Sequence, residues 1–178
     1  MFPAHSLAVG DVVVVRTPLT WASLMIRVGC WLHGRRAVDH VAVVVEEVES
    51  DVLLIEGRPS GVGYTWLSRY QLMSDNRLQA KTPEQRADIL RLCTSAVNTP
   101  YDWPAIFVDA LECLGAPLPR TGSRWGRRKP RATVCSAMAS WAYTAVGLEE
   151  PAGDARWCTP WDWDRFCEQA LSTWYSTH

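Results

Sequence analysis

The residues in this chain best equipped for covalent chemistry are Cys135, His40 and Glu56. Cys135 sits in Arg131-Ala132-Thr133-Val134-Cys135-Ser136-Ala137-Met138-Ala139-Ser140-Trp141-Ala142-Tyr143, which predicts a helix from about Thr133 to Val146, stopped by Gly147. That places the cysteine in the first turn. There, unpaired backbone N–H groups and the positive end of the helix dipole favour a thiolate over a thiol. The segment before it, Arg120 to Arg131, carries six basic residues that act in the same direction. A lone cysteine on a small-residue helix is more often a packing residue. The residues upstream change that balance.

His40-Val41-Ala42-Val43-Val44-Val45-Glu46 and Val52-Leu53-Leu54-Ile55-Glu56 read as two strands around a short polar turn. Both are apolar on both faces, as strands from the middle of a sheet are. His40 and Glu56 are equally far from Val48, so a hairpin centred there sets them directly opposite each other, about 5 Å apart on one face. A one-residue slip would undo this. A cysteine at a helix N-terminus, a histidine opening a strand and a carboxylate paired to that histidine are the parts of a thiol nucleophile. The imidazole takes the thiol proton, and the carboxylate sets its tautomer and stabilises its cation.

Each of these residues also has a structural alternative. His40 can be a satisfied core histidine, and Glu56 can end a strand or pair with Arg58. Asp39 is a rival orienting group, although in a strand it points to the opposite face from His40. His5, His33 and His178 lie in termini or loops and read as solvated. Cys30, Cys93 and Cys113 fall on helix faces and read as core.

The elements that must position these groups follow in order. Gly10-Asp11 precedes Val12-Val13-Val14-Val15-Arg16, a buried strand. Thr17-Pro18 opens a helix through Trp21, Leu24, Met25, Val28 and Leu32, closed by His33-Gly34-Arg35-Arg36. Gly61 to Leu67 and Arg77-Leu78-Gln79-Ala80 predict further short strands. Thr82-Pro83-Glu84-Gln85 is a helix start with a capping box, and that helix runs to about Val97 with Leu90, Cys93 and Val97 inward. Another helix is expected over Ala105 to Leu114. Pro117 to Arg131 reads as a basic, mobile surface loop. Thr159-Pro160-Trp161-Asp162-Trp163-Asp164-Arg165-Phe166 starts a last short helix.

Composition narrows the function classes. The 178 residues fit one domain. A net charge of −1 calls for neither nucleic acid nor an anionic surface as a global partner. Ten tryptophans point to an aromatic-lined groove or contact surface, or to a Trp-rich core. Six scattered cysteines show no paired spacing of the kind that binds zinc, so no metal or cofactor is expected. The first residues lack a basic and then apolar leader, and Trp21 to Leu32 is too short to span a bilayer. The expectation is a product cytoplasmic as synthesised, with reduced thiols, and virion-associated or released by lysis if it acts elsewhere.

Taken together, the motifs resemble the circularly permuted branch of the NlpC-type papain-like superfamily, which includes relatives of lecithin:retinol acyltransferase. Members in the usual order run Pro-Tyr-x-Trp, Asp-Cys-Ser on a helix, Gly-Asp with a hydrophobic strand, His-Val on the next strand, and a polar third residue. Here Gly10-Asp11-Val12 comes first, then His40-Val41, then Glu56, then Pro100-Tyr101-Asp102-Trp103, and last Val134-Cys135-Ser136. The likeness spans about residues 8 to 166. Val134 stands where the family usually has Asp, and Pro104-Ala105 where glycines usually follow; both departures bear on substrate preference.

The resemblance implies an α+β fold, with an antiparallel sheet of about five strands packed against the cysteine helix. It implies Cys135 as nucleophile, His40 as general base and then acid, and Glu56 as the orienting group. Tyr101, Trp103 and Ser136 would line the substrate and oxyanion side, together with the Cys135 backbone N–H. The expected activity is amide hydrolysis through a Cys thioester, with peptidoglycan peptides as the leading substrate. Two alternatives stand beside it. One is a lipid or acyl transferase or esterase of the same superfamily. The other is a non-catalytic interaction subunit of a larger assembly such as a virion.

Overall fold

The computed structural model describes residues 6–32, 34–107 and 131–177. The strands are β1 (Val12–Arg16), β2 (His40–Val48), β3 (Asp51–Arg58), β4 (Gly61–Trp66) and β5 (Gln71–Asp75). They form one antiparallel sheet in the order β4-β3-β2-β1-β5. The helices are α1 (Trp21–Leu32), α2 (Pro83–Ser95), α3 (Cys135–Ala145) and α4 (Pro160–Thr177). The architecture is α+β.

The Val12–Val15 run is fully buried because β1 lies between β2 and β5 and is covered on both faces. Val12, Val14, Val41, Val43 and Ile55 pack on one face with Ile89, Cys93, Met138, Tyr143 and Trp163 from the helices. On the other face Val13, Val15, Ala42, Val44 and Leu54 are covered more thinly, by Leu7, Leu67 and Tyr70. Every residue of α3 from Cys135 to Tyr143 is buried, so this helix is the centre of the core. Small side chains at Ser136, Ala137, Ala139, Ser140 and Ala142 let it seat against the sheet and its neighbours.

Several local signals act as their chemistry dictates. Thr82 caps α2 and Gln85 closes the capping box, with Pro83 opening the helix. Gly147 takes φ 73° just past α3, where a side chain would be strained. Cys30 and Cys93 are buried on their helices. The tryptophans divide: Trp163 and Trp141 are core, whereas Trp31 and Trp103 are 75% and 48% exposed.

Other expectations need correction. Residues 77–80 are not a strand; the fifth strand is Gln71–Asp75, which pairs with β1. Asn76 ends that ladder, because its Oδ1 accepts from Val12 N at 2.7 Å and its backbone N–H donates to Val12 O. Polar Gln71, Ser74 and Asp75 hide the strand in the sequence, as an edge strand allows. The last helix is not short. It has 18 residues, started by reciprocal bonds between Thr159 and Asp162 and held inward by Trp163, Phe166 and Cys167. The helix expected over Ala105 to Leu114 begins at residue 103 and is helical through 107. Its remainder, Cys113 and the basic loop up to residue 130 lie outside the described residues. Among the described residues, no helix is long and apolar enough to cross a membrane.

Candidate functional site

The β2–β3 hairpin decides whether His40 and Glu56 can meet. Its turn is Glu49–Ser50, with Val48 opposite Asp51 and Glu49 at φ 55°, so it is not centred on Val48. Carried on without interruption, that register would set Glu56 opposite Val43 and turn it to the other face from His40. A bulge at Val45 adds one residue, and from there Val44 pairs with Leu54 and Ala42 with Glu56. Glu56 thus shares a face with Ala42 and with His40 two residues away. The pair is diagonal, not directly opposite, and the two long side chains close the gap: His40 Nε2 and Glu56 Oε2 are 2.7 Å apart.

The other carboxylate oxygen is also used. Tyr70 donates its hydroxyl to Glu56 Oε1 at 2.9 Å, and its ring lies 5.9 Å from the imidazole, tilted by 58°. Glu56 is wholly buried, and each of its oxygens has a partner. Tyr70 is the residue that sequence reasoning missed. It stands in the turn before β5, and nothing in its spacing to His40 or Glu56 marks it.

Cys135 reaches the imidazole from α3. Gly57 makes this approach possible, since a Cβ there would stand 3.2 Å from the Cys135 backbone N and 3.3 Å from its Cα. Those neighbours are backbone atoms, so any side chain at 57 would push the start of α3 away. A glycine interrupting a strand between Glu56 and Arg58 is the signal by which this close approach could have been found. Cys135 stands close enough to His40 to act on the imidazole.

The charge balance follows from this packing. Burial, the largest influence, pulls the His40 pKa down. The Cys135 charge, the hydrogen bond to Cys135, and then the bond and charge of Glu56 outweigh it, and the pKa rises to about 10. For Tyr70, burial and then the Glu56 charge push the hydroxyl up to about 12, so it stays a donor.

The start of α3 has no side-chain cap. Its N-cap is Val134, which has no side-chain hydrogen bond to offer. The first-turn N–H groups of Cys135, Ser136 and Ala137 therefore keep their polarity for something else. The Ser136 hydroxyl is turned away, donating to Cys158 O at 2.6 Å, and its carbonyl accepts from Trp163 Nε1. Ser136 thus offers only its backbone here. Tyr101 forms a parallel bridge with Thr133 and packs beside Val134 and Ala137, with Trp103 edge-on at 5.3 Å. Both aromatics therefore flank the helix start.

The rival to Glu56 is occupied elsewhere. Asp39 accepts from Thr17 N and Oγ1 and from Arg27 Nε at 2.7 Å, tying the start of α1 to the sheet. Arg58 is not paired with Glu56. Among the described residues, no group of His, Cys, Asp and Glu is placed to hold a metal ion. Among the described residues, Cys93, Cys135, Cys158 and Cys167 are free thiols. The chain matches no protein-family model and no curated protein.

Proposed function

We propose that the protein is a cysteine hydrolase that cleaves an amide through a Cys135 thioester. The observation that carries this reading is the buried relay Tyr70–Glu56–His40–Cys135, ending at an uncapped helix N-terminus. His40 takes the Cys135 proton, and the resulting imidazolium is held by Glu56. Sγ attacks the substrate carbonyl, and the oxyanion is met by N–H groups of the first turn of α3. His40 then gives its proton to the leaving amine. Water, activated by the same imidazole, breaks the thioester and restores the thiol. Tyr101 and Trp103 border the acyl side. Peptidoglycan peptides are the leading substrate by resemblance to the permuted NlpC-type superfamily.

A second reading, transfer of a lipid acyl group by the same residues, is favoured by one surface. Leu24, Val28, Trp31 and Leu32 of α1 are 39%, 41%, 75% and 50% exposed along one side of that helix. Release of a peptide amine against release of a fatty acid separates the two substrates.

The test of the chemistry is the pH dependence of Cys135 alkylation by iodoacetamide, in the wild type and in His40→Ala. A catalytic thiol reacts quickly well below pH ~8.5, and His40→Ala abolishes that reactivity. A Cys135 that is inert or behaves as an ordinary thiol in both proteins ends the catalytic reading. It would leave the interaction-subunit alternative standing, which the 2% exposure of Cys135 also fits.

A further inference from the structure

The amphipathicity of α1 is inverted. The residues it turns inward, at helical spacing, are Ser23, Arg27 and Cys30. Each is held by polar bonds. The Ser23 hydroxyl donates to Thr20 O at 3.0 Å, and the Cys30 thiol donates to Val38 O at 3.7 Å. Arg27 Nε donates to Asp39 Oδ2 at 2.7 Å, and another of its nitrogens donates to Thr17 O. The outward stripe is Leu24, Val28, Trp31 and Leu32, all exposed, and Leu19 just ahead of the helix is 70% exposed. A surface helix ordinarily does the reverse and packs its apolar stripe on the core. Single apolar residues on a surface need no explanation, but a continuous stripe marks a contact. The Arg27–Asp39 pair does here what apolar packing does elsewhere, fixing the helix to the sheet while its apolar side stays free.

The charge around the stripe decides between partners. From Thr17 to Val38 the chain has no Asp or Glu, whereas Arg16, Arg27, Arg35 and Arg36 lie within or beside that run. Arg27 is answered by Asp39, and Arg36 by Glu168 and Asp164. Arg16 Nε donates to Ala37 O, and Arg35 lies over the Trp161 ring at 4.1 Å. Among the described residues no carboxylate pairs with either of these two. Arg35 belongs to the Trp31–Leu32 end of the stripe, because its backbone N–H donates to Cys30 O. A second copy laid on the stripe would set these cations against one another. An anionic lipid surface answers both features. Acyl chains receive the apolar stripe, headgroups receive the guanidinium groups, and a tryptophan suits the boundary between them.

We infer that α1 is an interfacial docking helix that seats the protein on an anionic lipid surface. Leu24, Val28, Trp31 and Leu32 enter the boundary between headgroups and acyl chains, and Arg16 and Arg35 meet the headgroups. With 12 residues, α1 lies on such a surface and does not cross it. The charge is local, in a chain whose net charge is −1. The inference goes beyond the hydrolase reading and does not depend on the chemistry of Cys135.

Flotation of the full chain with vesicles tests this at low ionic strength. One set is phosphatidylcholine alone, and the other also contains phosphatidylglycerol. The protein floats with the anionic vesicles, and the bound fraction falls steeply as salt is added. The double variant Arg16→Gln, Arg35→Gln lowers partition onto anionic vesicles by about fivefold per charge removed. The double variant Val28→Ser, Trp31→Ser lowers it by at least about tenfold through lost apolar burial. All four side chains lie outside the core, so unchanged urea midpoints show that the variants fold. No flotation with either vesicle overturns the inference, and so does flotation that Val28→Ser, Trp31→Ser leaves unchanged. A concentration-dependent dimer that the same variant dissociates, with no flotation, makes a second copy the occupant and overturns it too. Catalysis is not read, so either result leaves the hydrolase reading where it stands.

Discussion

Two buried polar clusters sit on this sheet, and they resolve the cost of burial in opposite ways. At the start of β1, Asp11 accepts from Lys81 Nζ at 2.9 Å and from Arg86 at 2.8 Å, and Lys81 also bonds to the carbonyls of Asn76 and Gln79. Asn76 links this cluster to Tyr143, whose hydroxyl donates to Gly10 O at 2.6 Å. At the start of β2 stands the His40 cluster. Lys81 is shifted down, since burial outweighs the help from Asp11. His40 is shifted up, since its neighbours outweigh burial. The first cluster sets one carboxylate against two basic side chains and fastens α2 to β1. The second couples an acid and a base that can exchange a proton, next to a helix end that wants an anion. Buried charge is therefore no mark of function by itself; what matters is whether a proton can move.

The sharpest way to break this comparison is to exchange the readouts. His40→Ala lowers turnover of an acyl substrate by about 10²–10⁴-fold per folded molecule, and it also costs stability because buried Glu56 loses its partner. Asp11→Ala strands Lys81 and Arg86 and costs about 3–5 kcal/mol of unfolding free energy, with activity per folded molecule retained. Urea titration and burst-titrated turnover measure the two. If Asp11→Ala abolished turnover at full stability, the division of labour drawn here would be wrong.

Stability against pH separates the clusters next. The folded pKa of His40 is raised from 6.5 to about 10. Its contribution is therefore fully present below the unfolded value and is lost as pH climbs through the window up to about 10. Lys81 acts in the other sense, because a depressed folded pKa lets stability rise as pH approaches its unfolded value. The expected result is a steeper loss of the urea midpoint between pH ~6.5 and ~10 in the wild type than in His40→Gln. Parallel curves would show that His40 is not held as a cation.

The smallest effect sharpens the role of Tyr70. Tyr70→Phe removes one hydrogen bond to a buried carboxylate, worth about 1–3 kcal/mol, and lowers turnover by up to about tenfold. It also alters the pH profile of Cys135 alkylation, which a purely structural tyrosine would leave unmoved. An unchanged profile with lowered stability would demote Tyr70 to packing.

Much of this was legible in the residues. The strand runs at Val12 and His40, the capping box of Thr82 and Gln85, the stop at Gly147 and the cysteine in a first helical turn depend on contacts a few residues apart. Local propensity and capping settle such features before any tertiary contact forms. The chemical types needed for a thiol nucleophile were legible too. Their meeting was not. Glu56 shares a face with His40 only because the bulge at Val45 corrects an odd register to an even one, and a strand carries no local trace of which partner residue it will face. Tyr70 joins the site through a strand edge written in polar residues, and Gly57 matters only because α3 arrives against it. Residue chemistry and short-range periodicity set the parts; register and close packing between distant segments, which depend on the whole sheet at once, decided which of them touch.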